Sequence, residues 1–167
     1  MKNISAIDVK KLRDITGIGF SDCKKALENS DGDFDKAKVF LKEKGLKVSL
    51  LRSDKIAVEG IVFSKVEENG FGVLICIACE TDFVAKNDQF FDIIKKIADV
   101  GLKFKIKSLD ELLDHPFEDM KVKDLIINFS AKVGEKIFIR DYNFVHSEKN
   151  EFLYCYNHQT NQICSLI

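Results

Sequence analysis

The hydrophobic period of this chain changes near residue 57, and a helical period on one side and a two-residue period on the other cannot belong to one layer of structure. On the N-terminal side Ser5 and Asp8 form a capping box, and Val9, Leu12 and Ile15 supply an apolar stripe for a first helix. Thr16-Gly17-Ile18-Gly19 interrupts it. Ser21 is placed to cap a second helix that turns Cys23, Ala26 and Leu27 inward and stops near Asn29. Asp33 caps a third through Ala37, Phe40 and Leu41, with Gly45 as its closing residue. Three helices of this size bury little surface, so residues 1–45 form a module of marginal stability on its own. Residues 46–56 show no clear period and read as a linker.

From Ala57 the alternation of Val58, Gly60, Val62, Ser64 and Val66 with their neighbours predicts a strand. Asn69-Gly70 signals a hairpin turn, and Phe71–Cys79 returns as a second strand. A helix is expected from Asp88 to Val100, presenting Phe90, Phe91, Ile94, Ile97 and Ala98, with Gly101 at its end. Ser108 and Glu111 form another capping box, and Pro116 stops that short helix. A further helix over Val122–Val133 turns Leu125, Ile126, Phe129 and Val133 inward before Gly134. Lys136–Val145 alternates as a third strand. The class is α+β: a three-helix module, then an antiparallel sheet with packed helices over residues 57–148. Residues 149–167 read as one more hairpin. Glu151–Ile167 aligns without gaps on Glu59–Ile75 at an offset of 92, which indicates an internal repeat. The sequence stops inside an apolar strand, the pattern expected of a shortened chain or a fragment.

Composition narrows the functions. The net charge of −1 makes no case for nucleic-acid binding, and the 13 Lys/Arg against 9 Asp/Glu in residues 1–55 are a mild local excess. No apolar run approaches the ~20 residues that span a bilayer. No secretory signal is visible, and five Cys, an odd number, read as reduced thiols of a cytoplasmic protein. Cys76 and Cys79 have CxxC spacing but fall in a strand, where positions i and i+3 face opposite ways; a redox enzyme or a metal site is therefore disfavoured. His115, His146 and His158 have no nucleophile at a recognisable spacing, and Gly17-x-Gly19 lacks the preceding strand of a phosphate loop. No cofactor and no catalytic residue is implied.

Thr81-Asp82-Phe83-Val84-Ala85-Lys86-Asn87 remains. Thr81 and Asp82 suit a helix cap at a strand-to-helix junction, but the aromatic that follows is unusual there. On residue chemistry alone, a Phe at this place belongs in the core. The segment resembles one signature of the elongation factor Ts family, the nucleotide exchange factors of elongation factor Tu. Val9–Gly19 followed by Asp22–Leu27 resembles the other, and Val133–Arg140 is similar to a third, weaker segment. The resemblance implies a ubiquitin-associated-like module followed by two related core subdomains, the second cut short. It further implies binding to elongation factor Tu, both GDP-bound and nucleotide-free, and release of GDP without covalent chemistry. Thr81–Val84 would dislodge Mg²⁺, with Phe83 as a wedge and Asp82 capping the loop. Arg13 and Phe20 would grip the GTPase, and His158 lies where the family often has a His. Phe20-Ser21 replaces the family's usual Met pair. The alternative is a ubiquitin-associated-type binding module without exchange activity, which leaves residues 81–87 without a role.

Overall fold

The computed structural model describes residues 4–68, 70–148 and 151–167. Two compact units emerge: Met1–Asp54 with Ile127–Glu135, and Lys55–Ile126 with Lys136–Ile167.

The first unit contains α1 (Ala6–Thr16), α2 (Phe20–Asn29), α3 (Phe34–Leu51) and the second half of α7 (Val122–Val133). Ser5 caps α1 by accepting from Asp8 N at 3.1 Å, and its hydroxyl donates to the Asp8 carboxylate at 2.7 Å. Gly17 ends α1 at φ +68°, a conformation costly for any residue with a Cβ, and its N–H reaches Arg13 O at 2.7 Å. Asp33 caps α3, accepting from the amides of Asp35 and Lys36 at 3.0 Å each. Those two amides hold its carboxyl below the ordinary carboxylate range. Val9, Leu12, Ile18, Cys23, Ala26, Leu27, Ala37 and Leu41 form the core.

Three local readings change. Ile15 is exposed, because the buried face of α1 runs through Val9 and Leu12 and ends on Thr16, whose hydroxyl donates to Leu12 O at 2.7 Å. The second helix begins at Phe20 with Gly19 as its cap and no side-chain bond, so Ser21 lies inside the first turn. The third helix does not stop at Gly45: residues 46–51, read from sequence as linker, continue it. Gly45 is a site of close approach, since a Cβ there would lie 3.0 Å from the Ala131 Cβ. Glycine is tolerated inside the helix because it lets two backbones come together.

In the second unit β1 (Glu59–Val66), β2 (Phe71–Cys79) and β5 (Phe138–His146) form an antiparallel sheet in the order β1-β2-β5. Central β2 buries Phe71, Val73, Ile75, Ile77 and Cys79 on one face. Upon that face lies α5 (Asp88–Lys103) through Phe90, Ile94, Ile97 and Ala98, with Phe63 of β1 edge-on to Phe91 at 5.8 Å. The predicted helix end at Gly101 falls inside α5. Its missing Cβ admits the Tyr142 hydroxyl, which would stand 2.6 Å from such an atom and which donates to Ile106 O at 2.8 Å. Between Cys76 and Ile77 the β2–β5 register shifts, leaving Arg140 as a bulged residue that donates to Ala57 O at 2.6 Å. The short α4 (Asp82–Ala85), α6 (Leu109–Asp114) and the β3–β4 pair (Pro116–Phe117 with Met120–Lys121) complete the connections. Ser108 caps α6, accepting from Glu111 N at 3.2 Å.

Glu67 N bonds Phe71 O at 2.8 Å to close the first hairpin, with Gly70 in the left-handed region; Asn69 lies outside the described residues. The tail forms a second hairpin, β6 (Cys155–Asn157) with β7 (Cys164–Leu166). Its closing bond, His158 N to Ile163 O at 2.9 Å, spans a loop one residue longer than the first. The gapless repeat is thus not a repeat of pairing: Ser64 faces Leu74, whereas its counterpart Tyr156 faces Ser165 and not Leu166. A one-residue slip exchanges faces. Phe71 and Ile75 are buried, while their counterparts Ile163 and Ile167 are exposed. The hairpin rests on the first sheet, with Leu166 over Gly72 of β2.

Gly101→Ala is expected to displace the Tyr142 ring and orphan the Ile106 carbonyl. Urea unfolding should show a loss of ~1–3 kcal/mol, and Tyr142→Phe alone a loss toward the lower end of that range.

Candidate functional site

Strand β2 ends at Cys79, and the chain then makes two helical starts within seven residues. The first is capped by Thr81, whose hydroxyl oxygen accepts from Val84 N at 3.5 Å. The second is capped by Asn87, whose side-chain oxygen accepts from Gln89 N at 2.8 Å. The four-residue α4 between these caps is anchored below by Val84, which is buried, and by the Cys79 thiol, fully buried and donating to Thr81 O at 3.2 Å. Phe83 points the other way and is 83% exposed. That places it outside the core, against the expectation from residue chemistry alone.

Asp82 does not cap the turn. Thr81 does so, and the Asp82 carboxylate instead bonds Lys86 Nζ at 2.7 Å, one helical turn on. The ammonium holds the Asp82 carboxyl below its ordinary range, and Asp82 in turn raises Lys86. Both side chains are well exposed, so the pair orients the turn more than it stabilises the fold.

Opposite this segment stands the turn of the second hairpin. Asp82, Lys86 and Asn87 on one side and Gln159, Asn161 and Gln162 on the other line a cleft of about 310 Å³, to which Ala85 and Phe91 add apolar wall. His158, half-buried, begins that turn. Its Nδ1 accepts from Thr160 N at 3.3 Å and lies 2.9 Å from Thr160 Oγ1, so the network assigns the ring proton to Nε2. The hairpin side of the cleft was invisible in sequence beyond His158, because turn polarity alone carries no address.

In the first unit Arg13 is exposed in the last turn of α1, and Phe20 is 45% exposed at the first position of α2. Between them Ile18 turns into the core while Ile15 stays outside. Gly17 makes this possible: its left-handed turn lets the connection bury one apolar residue and present its neighbours. Exposed Ile15 was missed because its helical spacing matches the buried stripe.

The two thiols of the CxxC spacing lie in β2, Cys79 buried and Cys76 half-buried. Desolvation pushes the Cys76 thiol up, away from the thiolate a redox or ligand role requires.

The family described as Elongation factor TS matches residues 80–167, a span that opens immediately before Thr81 and includes His158. The chain belongs to the elongation factor Ts family. It is 39% identical to the elongation factor Ts of Bacteroides fragilis over 165 residues, 98% of this chain and 49% of that protein. It is 41% identical to that of Flavobacterium psychrophilum over 167 residues, 99% of this chain and 59% of the relative. With that of Rhodopirellula baltica the identity is 43% over 148 residues, 89% of this chain and 45% of the relative. The chain thus spans about half the length of the curated elongation factor Ts proteins it matches. The matches to the Bacteroides and Flavobacterium proteins, at 98% and 99% of this chain, extend through the three N-terminal helices, which the family span does not reach. Among the described residues, no helix is long and apolar enough to cross a membrane.

The Asp82–Lys86 pair has a definite pH signature. Because the folded carboxyl titrates below its unfolded value, its contribution is complete above the ordinary carboxylate range and fades as pH falls through the lowered pKa. A carboxyl-detected NMR titration should find Asp82 below the usual value, and Lys86→Gln should return it upward.

Proposed function

We propose that this chain binds elongation factor Tu and promotes GDP release, acting in the cytoplasm as a translation factor and not as an enzyme. One observation carries the reading: a Phe is 83% exposed on a turn capped at both ends, inside the segment that opens the family match. An exposed aromatic is ordinarily mobile and costly to order on binding. Two caps and a buried Val84 remove much of that cost before the partner arrives.

In this reading Phe83 inserts between helices of the GTPase, Thr81 and Asp82 keep the turn in shape, and Val84 anchors it. Arg13 and Phe20 form a separate contact on the nucleotide-base side, and His158 contributes beside the cleft. Phe20 retains apolar area where the family usually has Met; Ser21 gives some up, and loss of a fully buried Met side chain is worth ~1.5–3 kcal/mol.

The energetics follow from linkage. A factor that weakens GDP must itself be weakened by GDP in the same ratio. A thousandfold ratio corresponds to ~4 kcal/mol. Burial of one Phe side chain supplies ~1.5–3 kcal/mol, so the wedge alone falls short. The GTPase's Mg²⁺, which neutralises phosphate charge, must be dislodged as well. Binding of the apo GTPase and of the GDP form are then two ends of one coupled equilibrium. Neither end calls on nucleic acid, a membrane or a bound cofactor of this chain.

Release of a fluorescent GDP analogue from elongation factor Tu should accelerate on adding this chain, and excess GDP should displace the chain from the GTPase. Phe83→Ala should slow the stimulated release by at least tenfold, with the unfolding midpoint unchanged because the side chain is outside the core; an unchanged release rate would end the wedge reading. Arg13→Ala should weaken complex formation several-fold, read by titration calorimetry, with no loss of helicity.

A further inference from the structure

β1 is the edge strand of the three-stranded sheet, and such an edge normally exposes a row of unpaired backbone groups. Here it is closed by a side chain. The Asn157 carboxamide accepts from Ser64 N and donates to Ser64 O, each at 2.8 Å, as a neighbouring strand would. Ser64 is only 1% exposed, so neither group has water as a substitute. The Ser64 hydroxyl shares its one proton between Ser165 O of β7 at 3.0 Å and Asn157 Oδ1 at 3.2 Å. Two residues back along the same edge, Val62 N donates to Asn161 O at 2.8 Å. Asn161 is left-handed at φ +55° and also bonds His158 O at 2.9 Å through its own N–H. Among the described residues β1 and β6 form no ladder; β6 and β7 form a sheet of their own. The second hairpin is therefore hydrogen-bonded to the first sheet through the Asn157 carboxamide, the Ser64 hydroxyl and the Asn161 turn, beside the packing of Leu166 on Gly72.

We propose that Asn157 is a positioning residue: its carboxamide stands in for a fourth strand at the edge of β1 and so holds the His158–Gln162 turn as the second wall of a cleft whose first wall carries Phe83's turn. The two walls then meet the partner as one preformed surface, and the cleft offers its polar groups to a hydrogen-bonding segment of the GTPase. This rests on the exchange-factor reading for its partner. The residue type follows from chemistry. Only a carboxamide presents a donor and an acceptor in one plane, matched to the N–H and C=O of a single extended residue. A carboxylate at this place lacks the donor, and an isosteric Leu lacks both groups.

The test is native-state amide exchange together with nucleotide release, on the whole chain. In Asn157→Leu the Val62 and Ser64 amides should exchange about tenfold faster or more, the effect of orphaning a buried backbone pair. Ile75 and Ile77 of central β2 should keep their rates. The concentration of factor giving half-maximal GDP release should rise about tenfold, while the maximal rate, set by Phe83, stays within twofold. Asn157→Asp, which keeps the acceptor, should loosen Ser64 less and decides the matter if the Leu variant does not fold. Unchanged Val62 and Ser64 exchange overturns the proposal, as does a loosened edge with an unshifted half-maximal concentration. A wild-type chain that releases no GDP would sink the exchange-factor reading alone; amide exchange would then decide the clamp by itself.

Discussion

Burial of β2 on both faces is the constraint on which the second unit depends. A strand that is apolar on alternate residues can lie on one core and face water. This one places Phe71, Val73, Ile75 and Ile77 under α5, and its other face is covered too, at Gly72 by Leu166. Two further features follow from that demand. Its neighbours β1 and β5 pair along its whole length, and the C-terminal hairpin has to come back onto the sheet. The bulge at Arg140 and the glycine at position 101 are the local adjustments that let β5 and α5 approach the central strand closely.

Because β2 is immobilised, its end is a rigid platform. Cys79, the last residue of the strand, is fully buried and ties its thiol to the Thr81 carbonyl, so the turn that follows starts from a fixed point. Two caps in close succession then divide the segment into a four-residue turn and a long helix. A turn so short has almost no intrinsic stability. It persists because Thr81, Val84 and Asn87 are each satisfied by their surroundings, and that leaves Phe83 free of any structural duty. An aromatic without a structural duty, held in a fixed place, is the physical basis of the wedge we propose.

Local signals were legible wherever a side chain bonds its own neighbourhood. Ser5, Asp33, Ser108 and Thr81 cap as their types and spacings require, and Gly17 ends α1 as its lack of a Cβ allows. Positions whose role depends on something distant in sequence were misread. Gly45 and Gly101 look like helix ends, yet each admits a group from another element: Ala131 in one case and Tyr142 in the other. Ile15 has the spacing of the buried stripe but the wrong angular position to reach the core. The alignment of Glu151–Ile167 on Glu59–Ile75 describes common composition, whereas pairing is set by loop length, and one extra loop residue changes it.

By itself the sequence determined the class of every large element, the break between helical and alternating periods, and membership of the elongation factor Ts family. These are properties of residues and their near neighbours, or of a pattern shared with relatives. Only the tertiary structure decided which way Phe83 points and that an Asn side chain closes the edge of β1. The reason is common to both. An exposed aromatic and a surrogate strand are defined by what does or does not stand across from them, and for Asn157 that partner is 93 residues away.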